Sequence, residues 1–173
     1  MARDVDIGFP TYPAWERFRA KKTTHIVGSG AGEAVNLFMV EGAVKVYNFF
    51  GVVSDVTDVS AVTVAFLELY DDDSKPITKA TGTDLSGMNV GSIIGRNAAA
   101  ATALYLADAS DGVIADGDLG SDFFAAFLAL AQKDTDTYIR FNFTSDSGGY
   151  DFTIDWEIVW MPLSEGSTIV PVA

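Results

Sequence analysis

The chain contains no cysteine. That absence excludes disulfides, thiolate nucleophiles, zinc–thiolate sites and iron–sulfur clusters. Histidine is nearly absent too: His25 stands alone, so a zinc site built on imidazoles has no second ligand. Positive charge is scarce, with 11 basic against 24 acidic residues and a net charge of −13. Such a surface repels nucleic-acid phosphates and anionic membranes. No apolar run approaches the ~20 residues of a membrane helix. The N-terminus lacks the basic-then-apolar layout of a signal peptide, so synthesis in the cytosol is the expectation. Catalytic signatures are missing as well. There is no G-x-S-x-G elbow to use His25, no P-loop, and "GSGAGE" at Gly28–Glu33 lacks the dinucleotide spacing and a helix after it. The expectation is a protein that is not an enzyme.

What is abundant is hydrophobic residues, 49% of the chain, enough for a real core in one domain. In "YDFTIDWEIVWM", Tyr150, Phe152, Ile154, Trp156, Ile158 and Trp160 take every second position, and Asp151, Thr153, Asp155 and Glu157 fill gaps between them. This is a strand with one apolar and one acidic face. "TYIRFNF" (Thr137–Phe143) alternates the same way, and the Gly loop between the two predicts a long hairpin. "VNLFMV" and "AVKVYNFFGVV" around Glu41–Gly42 predict a second hairpin. "SAVTVAFLELY" (Ser60–Tyr70) reads as a strand, as do "PITKA", "NVGSIIG" and "TALYLA". "SDFFAAFLALAQK" (Ser121–Lys133) predicts one short helix, capped by Ser121 or Asp122, with Phe123, Phe124, Phe127, Leu128 and Ala131 along one face. The fold class expected is mainly all-β: a β-sandwich or jelly-roll-like barrel with one short helix.

Residues 1–22 differ from the rest. They carry +2, against −15 for residues 23–173. Pro10 and Pro13 disfavour regular structure there, and aromatic residues interleave with arginine. The division expected is an extended N-terminal arm (1–22) and a β-rich domain (23–173). Tyr12, Trp15, Arg17, Phe18, Arg19 and Lys21 are the candidate partner-binding residues of the arm, because interfaces favour Trp, Tyr and Arg. Folding of the arm back onto its own domain is the competing expectation.

Carboxylate pairs such as Asp71–Asp73, Asp116/Asp118 and Asp155/Glu157 are what chance supplies in so acidic a chain, and they do not establish a glycosidase. "DASDGVIADGD" (Asp108–Asp118) gathers oxygen ligands, which makes calcium the one candidate ion. Its register does not match an EF-hand loop, and two Asx turns explain it as well. The aromatic row Phe152, Ile154, Trp156, Ile158 and Trp160 has three readings: a core face, an oligomer contact, or a platform for stacking sugars.

The layout "TYIRFNFT…GGYDFTIDWEIVWMPLSEGSTIVPVA" (137–173) resembles that of tailed-bacteriophage capsid decoration, or cement, proteins and related head-surface virion proteins. It has a penultimate strand, a Gly loop, an amphipathic Trp-containing final strand, then Pro162–Gly166 and a short apolar tail. The resemblance implies a structural protein, a homotrimer on the outside of the shell, that stabilises the capsid by bridging capsomers. The major capsid protein would be its partner and the virion surface its location. It brings no catalytic residues, metal or cofactor. A tail, fibre-base or receptor-binding component of the particle is the alternative within the same class, and a carbohydrate-binding module the alternative outside it.

Overall fold

The computed structural model describes residues 17–96, 102–107, 126–146 and 148–173. Along the chain its strands are β1 (Phe18–Ser29), β2 (Glu33–Glu41), β3 (Ala43–Asp58), β4 (Val62–Tyr70), β5 (Ser74–Pro76), β6 (Ile93–Arg96), β7 (Leu104–Ala107), β8 (Phe127–Leu130), β9 (Thr137–Ser145), β10 (Gly149–Pro162) and β11 (Thr168–Pro171). They form two antiparallel sheets. The first has the order β1-β10-β3-β6-β7, with β8 also on β3; the second has the order β11-β2-β9-β4-β5. The architecture is an open sandwich rather than a closed barrel.

Both expected hairpins are corners between sheets instead. β2 and β3 lie in opposite sheets, as do β9 and β10. Each of these strands has one apolar face. Facing each other across the core buries both faces, whereas pairing side by side would leave the second sheet unfilled. The corner at Gly42 has φ 67°, and a Cβ there would meet Ser167 Oγ at 2.4 Å. Glycine is needed for the turn and for the close approach.

The expected helix over Ser121–Lys133 is not formed in its described part. Phe127–Leu130 is β8, paired antiparallel with Ala43–Val46 of β3. Ala129 is buried while Leu128 and Leu130 point outward. This strand pairs with the first four residues of the β3 edge, and β6 pairs with Phe50–Val52 further along the same edge. A helix would have left that edge unpaired. Residues 121–125 and the calcium candidate Asp108–Asp118 lie outside the described residues. Of the smaller strands expected, "NVGSIIG" overlaps β6 in its last three residues and "TALYLA" contains β7, whereas β5 ends at Pro76, just where "PITKA" begins.

The core is aromatic. Trp156 lies 5.6 Å from Phe49 and 5.3 Å from Phe141, ring centre to ring centre, and Phe143 packs edge-on against Tyr150 and Phe152. Gly51 makes the room: a Cβ there would lie 2.5 Å from Ile154 and 2.8 Å from the Trp156 ring.

Candidate functional surface

β10 is the second strand of its sheet and shows how sequence alternation becomes two different surfaces. Phe152, Ile154, Trp156, Ile158 and Trp160 are all buried between the sheets. The aromatic row is therefore this chain's own core, and neither a sugar platform nor an oligomer contact. The opposite face, Asp151, Thr153, Asp155 and Glu157, turns outward.

That acidic row is met by β1. The register sets Lys21 against Glu157, Thr23 against Asp155 and Val27 against Asp151. Arg19 Nε and Lys21 Nζ lie 3.1 and 3.2 Å from the two oxygens of Glu157. The Thr23 hydroxyl donates to Asp155 at 2.5 Å, and His25 Nε2 is 2.9 Å from Asp151. Single exposed pairs like these are each worth about 0–1 kcal/mol. As a row they hold the edge strand in one register and cancel part of the charge on β10.

Four of the six arm residues can be placed. Phe18 stacks on Trp160 with ring centres 5.0 Å apart. Arg19 and Lys21 bind Glu157 as described. The Arg17 guanidinium sits 4.4 Å over the Tyr47 ring, and Lys45 approaches the same ring at 4.9 Å. Tyr47 in turn directs its hydroxyl at Met161 Sδ, 3.7 Å away. Phe18–Lys22, assigned to the arm by composition, are thus the first five residues of β1. Tyr12 and Trp15 lie outside the described residues.

The outer face of β1, β10 and β3 consequently has two ends. Arg17, Arg19, Lys21, Lys45, Tyr47 and Met161 occupy one. Asp55, Asp58, Asp151 and Asp155, with His25 among them, occupy the other, because Thr153 pairs with Asp55 and Asp151 with Asp58. A depression of 340 Å³ lies between them, bordered by Lys21, Thr23, Val52 and Asp155.

The second sheet carries a polar network that sequence reasoning missed. Arg140 Nε donates to Asn36 Oδ1 at 2.7 Å, its Nη1 is 3.8 Å from Glu68, and the guanidinium covers the Tyr70 ring at 3.5 Å. Glu68 is only 4% exposed and also accepts from the Ser74 hydroxyl. Alternation marked Tyr138 and Arg140 as outward facing, but only strand pairing brings Asn36 and Glu68 beside them. Elsewhere the Tyr150 hydroxyl donates to Glu33 at 3.1 Å. Burial and that neighbouring carboxylate push the phenol's pKa up.

Among the described residues no cluster of three His, Asp or Glu side chains is suited to a metal. Asp155 is bound by Thr23, and Glu157 by Arg19 and Lys21. A pocket of 370 Å³ beside β8 is lined mainly by apolar side chains, among them Leu69, Ile77, Phe127 and Leu130, with Lys75 and Arg96 also on its wall. What the fold defines is an open, all-β sandwich of two antiparallel sheets. No family model, curated protein or solved structure matches the chain.

Proposed function

We propose that the protein is a structural component of a tailed-phage particle, bound to the outside of the capsid and bracing neighbouring capsomers. The resemblance of segment 137–173 to cement proteins motivates the location. The structural observation that carries the reading is β1. It is a twelve-residue strand at the end of its sheet, with no described strand on its other side. It is entered directly from an N-terminal segment that carries Phe9, Tyr12 and Trp15. An edge strand that follows such a segment suits attachment by strand addition: main-chain bonds supply affinity, and the Trp and Tyr side chains upstream supply anchors.

The test is co-sedimentation with purified particles that lack their decoration. Saturable binding at hundreds of copies per particle supports the reading. Binding at a few copies points to a tail or fibre-base position, and no binding overturns the proposal. The sugar-binding alternative finds little support in the second sheet, because Arg140 already covers the Tyr70 ring that a sugar would need.

A further inference from the structure

We infer that the outer face of the first sheet is a self-complementary contact on which two copies of the chain pair about a two-fold axis running across the strands. This inference does not depend on the location proposed above.

The charge layout carries it. Number the rows of the face by the β10 residue each contains. Met161 pairs with Lys45, Val159 with Arg19, Glu157 with Lys21, Asp155 with Thr23 and Val52, Thr153 with His25 and Asp55, and Asp151 with Val27 and Asp58. The cations lie in rows 157–161, the carboxylates Asp55, Asp58, Asp151 and Asp155 in rows 151–155, and Glu157 at the boundary. An isologous contact sets each residue against its symmetry mate. An axis along the strands would stack cations on cations. An axis across the strands at the boundary reverses the rows. Lys45, with Arg17 beside it, then faces Asp58 and Asp55 of the second copy, and the second copy returns the same contacts. The central rows, 155 and 157, contribute Thr23, Lys21, Val52 and Phe50 around the 340 Å³ depression, and they set Asp155 opposite Glu157 of the second copy, each carboxylate already held within its own chain by Thr23 or by Arg19 and Lys21. No described strand lies over this face.

The size of the face sets the strength. Ten residues of strand and three strands span roughly 33 by 14 Å, so two copies bury about 900 Å² in total, near the lower limit for a specific contact. The expected dimer is weak. Each chain also carries −13 overall, so the pair should form only where salt screens the long-range repulsion and leaves touching pairs in place. The result is a dimer, in place of the trimer that the resemblance implies. The aromatic row that suggested a trimer is already buried within one chain.

The experiment is sedimentation velocity at tens of micromolar in about 0.15 M salt. The wild-type protein should sediment as a monomer–dimer equilibrium. Two charge-reversed variants are compared with it. One is Arg17→Glu with Lys45→Glu. The other is Asp55→Lys with Asp58→Lys. Each alone should weaken dimerisation by at least about tenfold, whereas an equimolar mixture of the two should restore it as a heterodimer. Because Asp58 also accepts from Ser60, the single variant Asp55→Lys is run in parallel, and melting curves establish that each variant is folded. A wild-type monomer throughout, a dimer indifferent to both reversals, or two folded variants that fail to rescue each other overturns the inference.

Discussion

Trp156 sits where the two sheets meet, touching Phe49 from its own sheet and Phe141 from the other. Truncation to alanine should cost about 3–5 kcal/mol, because transfer and cavity terms add. Its indole Nε1 has no hydrogen-bond partner among the described residues. Trp156→Phe therefore discards an unpaired donor along with some contact area, and it should cost less than half as much as the alanine change. Urea unfolding of both variants checks the ratio; equal losses would mean that the donor is satisfied. Tyr150 makes a second residue-scale prediction. Its raised pKa means that the folded state holds the phenolic proton more tightly than the unfolded chain does. The contribution is intact below the unfolded value of about 10 and is lost as pH rises above it. Tyr150→Phe should lower stability at neutral pH, because the Glu33 hydrogen bond is gone, and should flatten the alkaline decline. A decline of the same steepness in the variant would assign it to other groups.

β1 is the element on which composition and structure disagree most usefully. Net charge and aromatic content grouped Phe18–Lys22 with the preceding residues, yet Phe18 stacks on Trp160 and Lys21 pairs with Glu157. Deleting residues 2–22 should therefore remove part of the sheet and cost roughly 2–4 kcal/mol, or about 5–15 °C in melting temperature. Deleting residues 2–16 leaves β1 whole. It should keep the melting temperature and abolish attachment to undecorated particles. Loss of stability in the shorter deletion would make the segment part of the fold rather than a clamp. The other elements show what sequence could and could not disclose. Period-two alternation in Thr137–Phe143 and Tyr150–Trp160 was legible because each strand has a single buried face. Their separation into different sheets was not, since adjacent alternating strands read most simply as a hairpin. "FFAAFLAL" fits a helix face as well as a buried strand, and alanine tilts the balance toward helix. What decided for strand at Phe127–Leu130 was the edge of β3 at Ala43–Val46, whose need for a partner arises only in the assembled sheet. The Arg140–Glu68–Asn36 network was hidden for the same reason.

At the scale of the whole molecule, an excess of thirteen negative charges is spread over a surface whose cations are few and partly gathered at one end of one face. Repulsion among the carboxylates opposes compaction, and salt weakens it. Salt also weakens the pairs of Arg19 and Lys21 with Glu157, but Arg19 and Lys21 are 62% and 66% exposed, so little stability is held there. The network at Glu68 is shielded from ions by its burial. The larger effect should win, and the melting temperature should rise by about 2–5 °C between roughly 10 mM and 300 mM sodium chloride. Scanning at sub-micromolar protein keeps self-association out of the measurement, and chloride rather than sulfate keeps out general salting-out. A fall in melting temperature would mean that the β1–β10 ion row contributes more than the exposure of its side chains allows, and that the acidic excess is already balanced locally.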